Sequence, residues 1–389
     1  MKIEYNKNNY FQFKNQIIFE IDNNLVNSIN TNFKNLSNKN LSQKSKELIF
    51  KDIKIKMNAV FDSLILQSGN DKYLKFFYAE LKALCGKHII ELQSYYFSIK
   101  NNNSETNELH DEGFFFGNLS SSALDKINFI AKKSIRKLKS RINENNLNRE
   151  KLSINKGLDI RKIRSILNQE FKKENILKKV STYMKKEYHV SGLALELSVP
   201  NSKWWKDIQS NTVEPKTMYA HIDESEIYPK SICYLSDVNN ENGPTSIYPH
   251  TLKNLNLNFL QLVIGKVIGN IGKSKKSYLK EYYNRNFHQS MSCKNFRKHF
   301  MSLPKSLKFN SHFGWDIIPN TELENLLEKN EIKLIGNAGK FIVFDGGNVI
   351  HRGGLINKGE RVALQIVFGP KISLPIKIIN KLKELINCF

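Results

Sequence analysis

The segment YAHIDESEIYPKSICYL (219–235) sets His221 and Asp223 two residues apart. On an extended strand, residues i and i+2 project to the same face, so this imidazole and carboxylate can grip one ion together. A second histidine, His351, lies in VIHRGG (349–354), 128 residues beyond Asp223. Two histidines and one carboxylate on one face of an octahedral iron(II) leave three positions open, enough for a bidentate co-substrate and dioxygen. Neutral imidazoles and one ionised aspartate leave such a site net positive, which draws an anionic co-substrate. Taken alone, His221 and Asp223 also fit an ordinary surface pair.

The residues after His351 add to the pattern. Arg361 follows ten residues on, past the turn signal Lys358-Gly359, at the start of the apolar run RVALQIVFG. A hairpin of that length is expected to bring this strand back alongside the one that carries His351. A buried guanidinium there would bind a distal carboxylate bidentately, as lysine does not. The competing reading is a strand-end arginine paired with a surface acid.

These residues need a strand framework, and the second half of the chain supplies its pattern. Short apolar or alternating runs occur at 190–199, 231–238, 245–249, 340–345, 348–354 and 361–369, separated by Asn242-Gly243-Pro244, Gly346-Gly347 and Lys358-Gly359. Strands joined by such turns argue for an antiparallel sandwich or barrel of the jelly-roll type. The first half has helical spacing instead. One helix is expected over 71–97. A second follows SSSALD, with Ile127, Ile130, Ala131, Ile135, Leu138 and Ile142 on one face, and a third carries Ile160, Ile163, Leu167, Phe171, Leu177, Val180 and Met184. From about 252 to 332 the sequence is long, polar and partly helical, an insertion expected to cover substrate. The expected organisation is a mostly helical region at 1–155, a barrel domain at 156–370 with its insertion, and a C-terminal helix or tail at 371–389.

Composition narrows the partners. The formal charge is +23, and residues 132–186 hold 18 Lys/Arg against 5 Asp/Glu. A lysine-rich face on an amphipathic helix is ordinarily a solvated face, and the whole chain is rich in Lys, Asn and Ile, so nucleic acid is not the expected partner. The basic balance does suit an anionic substrate. No run approaches the roughly 18–20 apolar residues of a membrane-spanning helix, and the N-terminal residues lack the apolar core of a secretory signal, so a cytoplasmic protein is expected. Cys85, Cys233, Cys293 and Cys388 lie far apart with no CxxC pair, as expected of reduced, mostly buried thiols.

The pieces AHID (220–223), ICYLSDVNNENGPTSIYPHT (232–251) and GKFIVFDGGNVIHRGGLINKGERVALQIVF (339–368) resemble the phytanoyl-CoA dioxygenase family of iron(II), 2-oxoglutarate-dependent oxygenases. The likeness spans roughly residues 190–370. It implies an α+β protein built on a double-stranded β-helix, a jelly-roll or cupin-like barrel, with a helical N-terminal region. It further implies iron(II) at His221, Asp223 and His351, 2-oxoglutarate at Arg361, and dioxygen as the oxidant of a small organic, acyl or lipid substrate. The sequence departs from the family at Tyr248-Pro249-His250-Thr251, which displaces His250 from the usual histidine position, and at Gly353, where a hydroxyl residue is common. Related halogenases replace the carboxylate with a small residue; Asp223 is present, so hydroxylation is expected.

The other histidines are assigned to structure. His88 falls in an apolar helix pattern, His110 and His189 beside polar breaks, and His288, His299 and His312 in the insertion, where His312 with Trp315 is the one pair weighed as a substrate contact. Trp204-Trp205 reads as packing, and Asp237 and Asp345 as turn residues. Two rival functions keep the same residues: a metal-retaining jelly-roll binding protein without oxygenase activity, and a nucleic-acid-directed oxygenase using the basic 132–186 face.

Overall fold

The computed structural model describes residues 18–36, 38, 41–98, 107–142, 152–200, 220–223, 229–274, 276–283, 294–309, 322–354 and 356–371. Three long helices come first: α1 (Asn23–Asn35), α2 (Gln43–Gln67) and α3 (Lys72–Ser98). Asp22 caps α1 by accepting from the Asn24 N–H, and Ser42 caps α2 by accepting from Ser45 N–H. Next come α4 (Glu108–Asp111), β1 (Phe114–Asn118), α5 (Ser121–Lys139), β2 (Ser153–Ile154), α6 (Leu158–Lys173) and α7 (Ile176–Met184). Ser120 caps α5, as the SSSALD signal implies. The single helix expected over 160–184 is two helices, because Asn175 turns left-handed at φ 60° and ends the run.

The strands follow: β3 (Tyr188–Ser198), β4 (Pro229–Tyr234) and β5 (Ser246–Tyr248). After them run α8 (Thr251–Asn254), α9 (Phe259–Val267), α10 (Leu279–Tyr283), α11 (Lys294–Met301) and α12 (Glu322–Lys329), then β6 (Ile332–Lys333), β7 (Lys340–Asp345), β8 (Ile350–Arg352) and β9 (Arg361–Pro370). The result is a mixed structure of helices and antiparallel sheet. The larger sheet has the order β1-β7-β4-β9-β3-β2 and the smaller the order β6-β5-β8. The hairpin expected between the His351 strand and the Arg361 strand does not form. β8 pairs with β5 in the small sheet, whereas β9 lies between β4 and β3 in the large one. The ten-residue step is therefore a crossing from one sheet to the other.

Side-chain alternation decides what each face meets. Tyr234, Ile342, Phe344 and Ala363 of the large sheet share a buried cluster with Ile247 of the small one, which puts an apolar layer between the sheets. The opposite parity of the large sheet, with Leu195, Cys233, Val343 and Leu364, buries against α5, α6 and α7. The lysines of those helices point away from that core, so the basic segment has the solvated face its periodicity implies. Cys85 and Cys233 are free and buried, and burial pushes the Cys233 thiol up to about 12.

The insertion departs from expectation. Its α9, α10 and α11 share one apolar core with α1, α2 and α3, through residues such as Phe77, Leu260, Ile264, Phe296 and Phe300. These three helices thus complete a helical core, whereas Leu327 of α12 packs with Ile222, Tyr248 and Ile350 beside the small sheet. Glu331, just after α12, braces the small sheet: it accepts from Ser246 Oγ at 2.7 Å and from Arg352 Nη2 at 3.2 Å. Both charged side chains of that pair are nearly buried. Glu331→Ala would strip Arg352 and Ser246 of this acceptor, so it should destabilise the fold by about 3 kcal/mol, the lower end for breaking a buried pair. Chemical denaturation of the two proteins measures the difference.

Candidate metal centre

The three residues singled out from the sequence meet where the small sheet ends. His221 and His351 form an isolated antiparallel bridge, each backbone N–H donating to the other's carbonyl at 2.9 and 2.8 Å. Ile222, between His221 and Asp223, turns the opposite way into a buried cluster with Tyr248 and Ile350. The alternation expected of His221 and Asp223 is therefore present. One ligand atom from each of His221, Asp223 and His351 lies within 4.8 Å of the others, the one such group found among the described residues. Asp223 Oδ1 is 4.0 Å from His221 Nε2 and 3.8 Å from His351 Nε2.

The orientation of His351 follows from its surroundings. The residue is 4% exposed and packs beside the Phe344 ring. Its Nδ1 lies 2.9 Å from the Val349 carbonyl, which can only accept, so Nδ1 carries the proton and Nε2 keeps its lone pair toward Asp223. That carbonyl belongs to the β7–β8 turn, which Asp345 holds. Asp345 Oδ1 accepts from the Gly347 N–H at 2.9 Å, and Oδ2 accepts from Asn348 Nδ2 at 2.7 Å and from the Tyr183 hydroxyl at 2.6 Å. Burial, and then the adjacent carboxylate, raise the Tyr183 phenol above its ordinary range. Asp345 is a turn residue as expected, and the turn it holds is the one that aims His351. Asp237 also serves a turn, its Oδ1 accepting from the Ala338 N–H.

The same turn presents Gly346 to Asp223. The Asp223 N–H donates to the Gly346 carbonyl at 2.6 Å, and a Cβ at residue 346 would stand 1.9 Å from Asp223 Oδ2. Gly346→Ala should therefore push the carboxylate off its position and weaken divalent-metal binding roughly 10–100-fold, the range for losing a residue that orients a ligand. Calorimetric titration with Mn(II) measures this, and an unchanged melting temperature would show that the loss is local.

The donor set fits a divalent metal. Donors bound to one octahedral ion at about 2.1 Å stand about 3 Å apart, so small side-chain rotations would close the observed spacing. Arg361 is buried on the parity of β9 that includes Ala363, which faces the layer between the sheets. Its guanidinium donates to the Gly243 carbonyl and, at 3.3 Å, to Ser198 Oγ. Its Nε–H meets no acceptor among the described residues. Both of these partners are neutral, and among the described residues no acid pairs with Arg361.

The other described histidines lie elsewhere. His250 is half-exposed and pairs with Glu112 at 2.9 Å. His299 is buried against the Tyr283 hydroxyl at 2.7 Å, and burial lowers its pKa to about 4. His88 is buried on α3, His110 caps α4 with Asn107, and His189 lies on β3. His288, His312, Trp315, Trp204, Trp205, Cys293 and Cys388 lie outside the described residues. Sequence reasoning missed Lys230, whose Nζ is 2.6 Å from Asp223 Oδ2. A signal was present, because Lys230 shares the parity of Ile232 and Tyr234 and so points between the sheets.

No family model matches the sequence, and no curated protein matches it. Solved structures overlap it at low similarity. EctD from S. alaskensis with bound Fe is 10% identical, with a TM-score of 0.37 over 70% of this chain and 79% of that one. The non-heme alpha ketoglutarate dependent carbocyclase SnoK from nogalamycin biosynthesis is 10% identical, with a TM-score of 0.34 over 67% and 81%. HygX from Streptomyces hygroscopicus, with nickel and 2-oxoglutarate bound, is 11% identical, with a TM-score of 0.34 over 69% and 88%. Overlaps this slight say nothing of this chain's reaction or substrate. Among the described residues, no helix is long and apolar enough to cross a membrane.

Proposed function

We propose that this chain is an iron(II), 2-oxoglutarate-dependent dioxygenase of the phytanoyl-CoA dioxygenase type, its two sheets forming a double-stranded β-helix. The observation that carries the reading is the convergence of His221 and Asp223, on the segment 220–223, with His351 on β8 at one point between the sheets. Those three would hold the metal through His221 Nε2, Asp223 Oδ1 and His351 Nε2. Bound there, iron(II) supplies the oxidising chemistry: one oxygen atom goes into a substrate C–H to give an alcohol, and the other into 2-oxoglutarate as it becomes succinate and carbon dioxide.

The protein's own part is positioning and exclusion of water. Phe344, Ile342, Ile247 and Ala363 line the layer between the sheets with apolar surface. Low polarity there strengthens each charge interaction made inside. Arg361 holds the far carboxylate of 2-oxoglutarate, and its buried Nε–H is the donor awaiting an anion. The basic balance of the chain suits a small organic, acyl or lipid substrate with an acidic group.

The experiment is a succinate assay with iron(II), ascorbate and 2-oxoglutarate over a library of acidic metabolites and acyl thioesters, including turnover without any prime substrate. Succinate that depends on both iron and 2-oxoglutarate supports the reading. A chain that binds the metal and yields none under any condition is the metal-retaining binding protein instead.

A further inference from the structure

One charged group between the sheets has no part in the reaction as drawn above. Lys230, the second residue of β4, is 5% exposed, and its Nζ lies 5.3 Å from the centroid of the Phe344 ring. Its ammonium is 2.6 Å from Asp223 Oδ2, whereas the other oxygen, Oδ1, is the one 3.8–4.0 Å from the two histidine Nε2 atoms. The two oxygens of one carboxylate therefore face different partners. Burying an ammonium ion is unfavourable unless it is paired, and a methionine of similar length would pack against Phe344 without that cost. Packing does not account for a lysine here.

We infer that Lys230 is a positioning residue that restricts Asp223 to a single metal-bound oxygen, an inference that rests on the metal reading above. A carboxylate can bind a divalent ion through one oxygen or through both. Two-oxygen binding would take one of the three positions that a facial triad leaves open, and a bidentate co-substrate with dioxygen needs all three. The close ion pair with Lys230 keeps Oδ2 away from the ion. Gly346 helps from the other side: a Cβ there would also stand 2.8 Å from Lys230 Cε, so the same glycine admits both members of the pair. The arrangement has a cost in metal affinity, because an ammonium beside a ligand repels the cation the ligand serves.

The test uses the full chain loaded with Mn(II), comparing wild type, Lys230→Met and Lys230→Arg. Line broadening of the Mn(II) electron paramagnetic resonance signal in oxygen-17-labelled water counts the exchangeable waters on the ion. About three are expected in wild type, the open positions of a facial triad, and about two in Lys230→Met. Lys230→Arg restores the cation and the wild-type count. Mn(II) affinity in Lys230→Met is expected to be unchanged or tighter, whereas succinate formation falls at least tenfold with iron(II) in place of Mn(II). Equal water counts in wild type and Lys230→Met overturn the role of Lys230 alone, and Lys230→Arg behaving like Lys230→Met overturns it as well. A wild-type chain that fails to hold Mn(II) overturns the metal reading, and this inference with it.

Discussion

His351→Ala is expected to weaken Fe(II) and Mn(II) binding by at least about a hundredfold while leaving the sheets folded. Losing a residue that merely orients a ligand typically costs 10–100-fold in metal affinity, so losing a ligand of a three-residue set costs more. Folding should survive because the strand bonds of β8 are made by backbone: His351 N–H and carbonyl bridge His221, and β8 pairs with β5 through Ile350 and Arg352. The imidazole itself is nearly buried beside Phe344, so its removal leaves a cavity and a modest loss of stability, typically about 1 kcal/mol or more. Anaerobic calorimetry with Fe(II), together with thermal melting, separates the two effects. Metal affinity within threefold of wild type would mean that the convergence of His221, Asp223 and His351 is not a metal site. His351→Gln adds a control, since it fills most of the volume and still lacks the imidazole lone pair aimed at Asp223.

The positions of His221, Asp223 and His351 were legible in the sequence because strand alternation is a local rule. An HxD motif on an extended segment must put both side chains on one face, and Ile222 confirms the parity by turning into the opposite cluster. Six of the strands were legible for the same reason. What joined them was not. The step from His351 to Arg361 has the length of a hairpin, and length alone does not distinguish a hairpin from a crossing between sheets. β1 and β2 were missed because FFFGN and SI are short runs set among helices, and their strand character comes from pairing with β7 and β3. The fate of the insertion was also hidden, because α9 and α11 find their apolar partners in α1, α2 and α3, about 200 residues earlier. Lys230 shows the converse case: its parity was readable, but a lysine between two sheets is accountable only once Asp223 is seen beside it.

Arg361 tests the other half of the site, and the expected result is specific to the co-substrate. Arg361→Ala should raise the dissociation constant of 2-oxoglutarate on the Mn(II)-loaded protein about thirtyfold or more, with Mn(II) affinity unchanged. Removing one partner of a buried, hydrogen-bonded charge pair costs about 2–5 kcal/mol, and each 1.4 kcal/mol is tenfold in affinity. The guanidinium also braces the fold, since it donates to the Gly243 carbonyl and to Ser198 Oγ, so a lower melting temperature is expected as well. Stability alone therefore cannot decide its role, and Arg361→Lys can. Lysine keeps the charge and one donor for the Gly243 carbonyl but loses the planar fork, so it should recover most of the stability and only part of the 2-oxoglutarate affinity. If both variants bind 2-oxoglutarate as wild type does, Arg361 is a brace between β3, β9 and the Gly243 turn, and the anion site must lie elsewhere. If affinity falls in the order Arg, Lys, Ala while Mn(II) binding stays constant, the buried Nε–H has found its acceptor, and the layer between the sheets holds a metal at one end and a dicarboxylate reaching toward the other.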